Sequence, residues 1–191
     1  MVFFASLATE PTSAQPRPPA DRTDFQAALI RYAGGNYNPR PHGLPRFAWE
    51  IRKRTSIQAA LDTAAVDPGE PMLFDYPLLV WQGDAAFPPL PERAVLNLRQ
   101  HLTHGGTVLV DVSDAQVRGP FHTSVLRELA RIFPEQALTR VPAAHVVYKS
   151  FYLIDRHGGR VPAQPHLDGL YVADRLAVIV SLNDLAGAMS R

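Results

Sequence analysis

Cysteine is absent from the sequence. Its absence excludes disulfide bonds, thiolate catalysis and cysteine-ligated metal sites, and it is compatible with any cellular compartment. No apolar run approaches the roughly 20 residues that a membrane-spanning helix needs, so no membrane-spanning segment is predicted. The charges nearly cancel, with 19 basic and 18 acidic residues giving a net charge of +1. This balance predicts no nucleic acid partner, because such partners are bound through an excess of basic residues.

Hydrophobic residues make up 46% of the 191 residues, which is enough for one domain with a sizeable core. We predict a single α/β domain over residues 24–191. Residues 1–23 are predicted to be a disordered leader or the remnant of a signal peptide, because the segment 10–21 is rich in proline and small polar residues.

Two interpretations of this leader remain open. Its apolar stretch at residues 2–8 and the small residues Thr12, Ser13 and Ala14 resemble the end of a secretory signal, although no basic segment precedes them. A signal remnant predicts a periplasmic or secreted domain, in an envelope-associated assembly. A leader that is only disordered predicts a cytoplasmic domain.

Short apolar runs alternate with helical periodicity along the chain. The runs LLVW at residues 78–81 and TVLVDV at residues 107–112 are typical of strands buried on both faces. Helical spacing is clearest at residues 91–104, which Gly105 and Gly106 end. This alternation predicts a mostly parallel sheet with helices on both faces. Strands are predicted at residues 25–32, 57–61, 78–81, 107–112, 137–141, 169–172 and 175–181, helices at residues 44–54, 91–104 and 124–133, and an extended or irregular segment at residues 145–152.

Six stretches carry a resemblance to a known family. They are RYAGGNYN (31–38), LPRFAWEIRKRT (44–55), LFDYPLLVWQG (73–83), LRQHLTHGGTVLVD (98–111), RELARIFP (127–134) and GLYVADRLAVIVSLNDL (169–185). In this order and spacing they resemble the bacterial family called domain of unknown function 4159. The resemblance implies a soluble protein with the class I glutamine amidotransferase-like fold, near the trehalose-utilisation-like proteins. That fold is a flavodoxin-like three-layer sandwich, and it does not by itself imply an activity.

The sequence departs from this family pattern in two places. Members often carry paired aspartates and a glycine-rich turn after the strand that ends here at Asp111, whereas this chain reads DVSDAQ over residues 111–116. The carboxylates are retained at a different spacing. The chain also stops soon after NDLAGAMSR, where relatives often continue, which is compatible with a truncated C-terminus.

Polar residues follow four of the predicted strands. Because ligands bind outside the carboxyl ends of the strands in open parallel sheets, these residues form the predicted ligand-binding site. Asp and Asn at strand ends also form turns and helix caps, and this structural interpretation competes with the functional one. The glycines lack both a GxGxxG pattern and a P-loop lysine, which favours a tight turn over a phosphate loop. The predicted site residues are Gly34, Gly35, Asn36, Tyr37, Gln82, Asp84, Asp111, Asp114, Asn183 and Asp184.

Four carboxylates in this set predict a possible cation site. Convergence of Asp84, Asp111, Asp114 and Asp184 would give an oxygen-rich pocket, which suits a hard divalent cation such as Mg²⁺ or Ca²⁺. Asp111 directly ends a buried strand and Asp184 follows another, so these two are the predicted metal ligands. No other cofactor is indicated.

Nucleophilic catalysis has little support in the sequence. Ser113 lacks the flanking glycines of a nucleophile elbow, and a triad with His122 or His145 would need a third member that the spacing does not supply. His101 and His104 lie three residues apart on a predicted helix and are interpreted as surface or capping residues.

Two functions therefore remain open. The first is a non-catalytic domain of amidotransferase-like fold that lacks the nucleophile and binds a small molecule or a protein partner. The alternative is a metal-assisted hydrolase that uses carboxylates at the carboxyl ends of the strands. The orientation of Asp111 and Asp184 discriminates between them, because metal ligands must point at a common position.

Overall fold

A computed structural model describes residues 24–149 and 157–190. The leader predicted over residues 1–23, and residues 150–152 of the segment predicted to be irregular, lie outside the described residues. The strands are β1 (Ala27–Ile30), β2 (Ala64–Val66), β3 (Leu78–Gly83), β4 (Thr107–Val112), β5 (Thr139–Arg140), β6 (Asp168–Val172) and β7 (Arg175–Ser181). The helices are α1 (Gly43–Arg54), α2 (Glu92–Thr103), α3 (Pro120–Ile132) and α4 (Leu185–Met189), with short 3₁₀ helices at Pro71–Asp75 and Val146–Tyr148.

The seven strands form one sheet in the order β2-β1-β3-β4-β7-β6-β5. The five strands from β2 to β7 in this order are parallel to one another, whereas β6 and β5 extend the sheet in antiparallel fashion. The predicted mixed α/β architecture with a mostly parallel sheet is thereby confirmed.

Helices cover both faces of the sheet. On one face, Val110 of β4 packs in the same buried cluster as Leu98 of α2 and Val125 of α3. On the other face, Val80 of β3 packs with Leu44 of α1, and α1 contacts α4. Strands covered on both faces must be apolar throughout, which explains the continuous apolar runs in the sequence. No helix in the described part of the chain has the length and apolar character needed to cross a membrane.

The strand predicted at residues 57–61 is wrong. Its one pairing is an isolated bridge between Phe25 and Ala59, and the strand beside β1 is β2, a few residues later. The apolar residues that suggested a strand, Ile57 and Leu61, are 49% and 40% exposed. The side chains at the two ends of this segment therefore lie on the surface, whereas Ala59 between them is buried.

Other boundaries moved by a few residues for local reasons. Helix α3 begins at Pro120, four residues before the predicted start, because proline suits the first turn of a helix. The strand predicted at residues 137–141 shrinks to the two residues of β5. The predicted closing pair forms an antiparallel hairpin, β6–β7, and β7 also pairs in parallel with β4.

Candidate functional site

The carboxyl ends of β1, β3, β4 and β7 lie at one edge of the sheet, because these strands are parallel and adjacent. We call this the carboxyl edge, and it comprises the strand ends together with residues 31–43, 84–91, 113–119 and 182–184. All ten predicted site residues lie at it. The structure shows which of them share contacts.

Three polar side chains form a row across the central strands. Gln82 of β3 is the register partner of Asp111 of β4, and Asp111 is the register partner of Ser181 of β7. We call these three residues the polar row. Gln82 and Asp111 are 1% exposed and Ser181 is 0% exposed. Burial of polar groups is costly unless they are hydrogen-bonded, so their partners indicate what each residue does.

Gln82 is only partly satisfied. Its side-chain Nε2 donates to Asn38 Oδ1 at 3.0 Å, and its backbone carbonyl accepts a hydrogen bond from the Tyr32 hydroxyl at 2.9 Å. Its side-chain Oε1 is buried and has no partner within the described residues. The Gln82 side chain therefore retains one free acceptor at the carboxyl edge.

Asp111 holds the start of α4. Its Oδ1 accepts from the backbone N–H of Leu185 at 2.7 Å, and its Oδ2 accepts from that of Ala186 at 2.8 Å. Burial raises the pKa of Asp111 to about 6, against the effect of these two hydrogen bonds. The negative charge of nearby Asp184 also raises the pKa of Asp111, whereas the positive charge of Arg40 lowers it. Both carboxylate oxygens are thus committed to the backbone of α4.

Ser181 pairs with a histidine that the sequence analysis did not single out. The Ser181 Oγ and the His157 Nε2 lie 2.9 Å apart, and the Oγ also accepts from the backbone N–H of Asn183 at 3.2 Å. Burial lowers the pKa of His157, and His166 lowers it further. No short motif joins residues 157 and 181, so only the fold reveals this pair.

Two arginines converge on Asp184, whose side chain is fully buried. Arg40 donates from Nε to both oxygens at 3.1 Å and from Nη2 to Oδ2 at 2.8 Å. Arg160 donates from Nε to Oδ2. Both guanidinium groups also donate to the backbone carbonyl of Ser113, at 3.2 Å and 3.5 Å. We call Arg40, Arg160 and Asp184 the arginine clamp, and it joins the segments that follow β1, β4 and β7 to the segment that precedes β6.

The arginine clamp determines the charge of its carboxylate. Burial alone would raise the pKa of Asp184, but the hydrogen bonds from Arg40 and Arg160 outweigh burial and lower it. Asp184 also has a left-handed backbone, with φ 51° and ψ 66°, and its side chain caps α4 by accepting from the backbone N–H of Gly187 at 2.9 Å. Such a backbone costs about 1–3 kcal/mol in a residue other than glycine. The cap and the ion pairs offset that cost.

The remaining predicted residues have structural partners. Asn36 Nδ2 donates to Asp84 Oδ2 at 3.2 Å. Gly34 has φ +75°, and a Cβ there would lie 2.5 Å from the ring of Pro88, which supports the tight-turn interpretation of the glycines. Asn183 is fully engaged, since its Oδ1 accepts from the backbone N–H of Gln164 and its Nδ2 donates to two backbone carbonyls.

Two further residues complete the predicted set. Tyr37 stands edge-on to Tyr32, with 6.4 Å between ring centroids, and Gly35 packs against the same Tyr32 ring. Asp114 Oδ1 accepts from the backbone N–H of Gln116 at 3.3 Å, and burial raises the pKa of Asp114. These contacts build the walls of the carboxyl edge.

The predicted divalent cation site does not fit this geometry. The oxygens of Asp184 are taken by two guanidinium groups and a backbone N–H, and those of Asp111 by two backbone N–H groups. Residues 24–149 and 157–190 contain no group of three or more His, Cys, Asp or Glu side chains arranged to hold a metal ion. The arginines supply the positive charge that a cation was predicted to supply.

The histidine predictions have mixed outcomes. The predicted partners of Ser113 are engaged elsewhere, since His122 accepts from the backbone N–H of Arg118 and His145 from that of Val147. The prediction that His101 and His104 are surface or capping residues is confirmed for His104, which is exposed and whose Nδ1 lies 2.7 Å from the backbone carbonyl oxygen of Gln100. It is wrong for His101, whose ring is buried against the backbone of Gly106.

Half of the buried unpartnered polar atoms in the described residues belong to the carboxyl edge. Across the described residues, six buried side-chain polar atoms have no hydrogen-bond partner, and three of them belong to residues at the ends of β3 and β4. These three are Gln82 Oε1, Ser113 Oγ and Asp114 Oδ2. Two depressions, of about 550 and 480 Å³, open at the opposite edge of the sheet, and none of the predicted site residues lines them.

The family assignment agrees with the resemblance noted in the sequence. Residues 26–191 match the family model described as a domain of unknown function, DUF4159. The chain belongs to the DUF4159 family. No curated protein matches this DUF4159 chain. The match spans every strand and helix described above, so the whole carboxyl edge lies within the DUF4159 domain.

Proposed function

We propose that this DUF4159 domain is a non-catalytic ligand-binding domain whose site lies at the carboxyl ends of β3 and β4. The observation that carries the proposal is that three buried, unpartnered atoms, Gln82 Oε1, Ser113 Oγ and Asp114 Oδ2, belong to residues at the ends of the neighbouring strands β3 and β4. A buried polar atom without a partner costs about 1–3 kcal/mol, and native structures keep few of them. Three at one edge indicate that a bound molecule supplies the missing hydrogen bonds.

The chemistry of these atoms limits the ligand. Gln82 Oε1 only accepts hydrogen bonds, and an ionised carboxylate at Asp114 does the same. Ser113 Oγ can donate or accept. The ligand must therefore carry hydrogen-bond donors, such as hydroxyl or amino groups.

The strand order supports the position of the site. The order β2-β1-β3-β4-β7 of the parallel strands is the order of a flavodoxin-like sheet, and we infer the flavodoxin-like three-layer sandwich and the amidotransferase-like superfamily from it together with the resemblance in sequence. In such sheets the chain reverses direction across the sheet between two central strands, here β1 and β3, and ligands bind beside that point. Asn36 and Asp84 meet there.

The side chains favour binding over catalysis. Ser113 Oγ has no histidine partner, and Ser181, which has one, is fully buried beneath the carboxyl edge. The alternative of a metal-assisted hydrolase loses its basis because its two carboxylates are engaged by arginines and by backbone N–H groups. A protein segment that inserts polar donors into the same site would satisfy the same atoms.

A thermal-shift screen of the full chain tests the proposal. Sugars, amino acids, nucleotides and short polar peptides are screened against the wild type and Ser113→Ala. Because Ser113 Oγ has no protein partner, its removal should leave the stability of the free domain nearly unchanged. A ligand at one hundred times its dissociation constant adds about 2.7 kcal/mol of apparent stability, and we expect Ser113→Ala to reduce that shift.

The matched control is Ser56→Ala, an exposed serine at the opposite edge of the sheet. It should retain the full ligand-induced shift. No shift with any compound, or an equal shift in wild type and Ser113→Ala, would contradict a ligand site at this edge.

A further inference from the structure

The side of α1 that faces away from the sheet carries a tryptophan between two cations. We call it the outward side of α1, and its exposed residues are Arg46, Trp49, Arg52, Lys53 and Arg54. Trp49 is 36% exposed, although tryptophan is highly buried on average. The guanidinium carbon of Arg46 lies 4.1 Å from the centroid of the Trp49 ring, and the ammonium nitrogen of Lys53 lies 4.6 Å from it. Arg46 lies three positions before Trp49 and Lys53 four positions after it, so the three side chains share one side of the helix.

Positive charge is concentrated on α1. The helix contains four basic residues and one acidic residue, Glu50, which gives it a net charge of +3, whereas the whole chain has a net charge of +1. Helices α2 and α3 each have a net charge of +1. The rest of the chain is therefore negative overall, and α1 presents a local positive surface.

Contacts within the chain explain only part of this arrangement. Basic residues in the last turn complement the helix macrodipole, and Glu50 pairs with Arg46 and Arg54. Arg52 and Lys53 form no salt bridge within the described part of the chain. Neither the macrodipole nor Glu50 accounts for the exposed ring of Trp49. The outward side of α1 therefore combines an exposed aromatic ring with positive charge that the chain itself does not neutralise.

We propose that the outward side of α1 docks on an anionic membrane surface, with Trp49 at the level of the lipid headgroups and the basic residues of α1 against the lipid phosphates. Tryptophan is enriched at the membrane–water interface, and basic residues near an anionic leaflet are attracted to it. The outward side of a single helix is convex, which fits a broad flat surface, whereas peptides are recognised in grooves or along sheet edges. Such docking is peripheral and needs no helix that crosses the membrane.

Docking through α1 goes beyond the proposed ligand binding and involves a different part of the domain. The helix begins at the carboxyl edge and its twelve residues extend for about 18 Å. Ser56 and Ile57, which follow α1, line a depression at the opposite edge of the sheet. The last turn, with Arg52 and Lys53, therefore lies away from the proposed ligand site.

Vesicle binding of the full chain tests the proposal. Vesicles of phosphatidylcholine and phosphatidylglycerol in equal parts are compared with vesicles of phosphatidylcholine alone, by cosedimentation at low ionic strength. We expect the chain to bind the anionic vesicles and to be released by added salt, because salt screens the attraction between exposed charges. Equal binding to the two kinds of vesicle, or binding to neither, overturns the proposal.

Tryptophan fluorescence locates the contact. The chain has two tryptophans, and because Trp81 is only 1% exposed, a change in emission on vesicle binding reports on Trp49. We expect the emission of wild type to shift to the blue with anionic vesicles, and that of Trp49→Phe to stay unchanged. Vesicle binding that leaves Trp49 as accessible to a soluble quencher as it is in the free chain contradicts docking through α1.

Charge variants separate α1 from the overall charge of the chain. Arg52→Gln and Lys53→Gln should each weaken binding to anionic vesicles by about fivefold, the effect of one basic residue near a charged membrane surface. The matched control, Arg93→Gln, removes an exposed arginine from α2 on the other face of the sheet and should leave binding unchanged. Equal effects of the three variants would show that net charge alone governs binding.

An acidic protein segment is the competing partner for the same surface. Polyglutamate is therefore titrated into the full chain under the conditions of the vesicle experiment. If polyglutamate binds and anionic vesicles do not, the partner is an acidic polypeptide and the assignment to a membrane is wrong.

Discussion

Gln82 and Asp111 stand opposite each other in the parallel pair β3–β4, and both side chains are 1% exposed on the face that α1 and α4 cover. Their hydrogen bonds differ in kind. Both oxygens of Asp111 accept hydrogen bonds from backbone N–H groups of α4, whereas Gln82 Oε1 has no partner within the described residues. Asp111 therefore positions α4, and under the proposed function Gln82 Oε1 accepts a hydrogen bond from the ligand.

The first prediction concerns pH and Asp111. Burial raises the pKa of this carboxyl in the folded chain from 3.8 to about 6. Between these values the folded state keeps a proton that the unfolded state has released, so the Asp111 contribution to stability falls as pH rises from about 4 to about 6. Asn cannot titrate. The stability advantage of wild type over Asp111→Asn should therefore shrink across this range, by roughly 3 kcal/mol in total.

Urea unfolding of both proteins at pH 3.5, 4.5, 5.5, 6.5 and 7.5 measures this advantage. The comparison matters because burial lowers the pKa of His101, His122 and His157, whose effect on stability has the opposite sign. Those histidines are present in both proteins, and their contributions cancel in the difference. A difference that is constant with pH would show that Asp111 does not titrate with a raised pKa.

The second prediction is that either arginine of the clamp can compensate the charge of Asp184 without the other. With Arg40→Met or Arg160→Met alone, Asp184 retains one guanidinium partner, and we expect each change to cost about 1 kcal/mol. With both changes the buried carboxylate is unpaired, and the cost should reach about 3–5 kcal/mol. Urea unfolding of the four proteins gives the coupling free energy.

A second double-mutant cycle, with an arginine from a separate network, shows how large the coupling is between independent sites. Arg127 pairs with Glu128 in a separate network, so the costs of Arg40→Met and Arg127→Met should add to within about 0.5 kcal/mol. If the costs of Arg40→Met and Arg160→Met also add, the two arginines do not act together in compensating the charge of Asp184.

The sequence could predict the strands that carry the site. The apolar runs at residues 78–81 and 107–112 match β3 and β4 closely, because a strand that is covered on both faces must be apolar at nearly every position. Asp111, the last polar residue within such a run, was identified on that ground and is indeed buried at the carboxyl edge.

The arginine clamp could not be predicted in the same way. Arg40 and Asp184 are 144 residues apart in sequence, and no spacing rule connects two loops that meet only in the folded chain. Arg40 lies three residues after Tyr37, the last predicted site residue in the loop after β1, so it is close to the predicted site in sequence. Arg160 carries no such signal. The cation prediction rests on the aspartates alone. It does not take into account the arginine side chains that reach Asp184 from other loops.

The third prediction uses two adjacent glycines. A Cβ at Gly159 would lie 2.0 Å from the backbone carbonyl oxygen of Asn183, whereas nothing lies within 4 Å of one at Gly158. Gly159→Ala should therefore push the segment that carries Arg160 away from β7, and it should cost about 1–3 kcal/mol. Gly158→Ala is the matched control and should be nearly neutral. Equal free energies of unfolding for the two variants would contradict this close approach.

The last prediction concerns the buried carboxylate of Glu128, which anchors the loop after β3. Its Oε1 accepts from Arg127 at 2.6 Å, and its Oε2 accepts from Arg131 at 2.6 Å and from the backbone N–H of Leu90 at 3.3 Å. Glu128→Gln keeps the shape but leaves two arginines without their shared carboxylate. We expect a loss of about 3 kcal/mol in the free energy of unfolding.

Glu92→Gln is the matched control, because Glu92 binds the same Arg131 but its side chain is 71% exposed. An exposed ion pair contributes at most about 1 kcal/mol. The loop that Glu128 holds includes Phe87, whose ring packs against Tyr32 with centroids 4.5 Å apart at the wall of the carboxyl edge. Glu128→Gln should therefore also speed hydrogen exchange of the Phe87 and Leu90 amides, and Glu92→Gln should not. Equal costs and equal exchange rates would show that Glu128 does not anchor this loop.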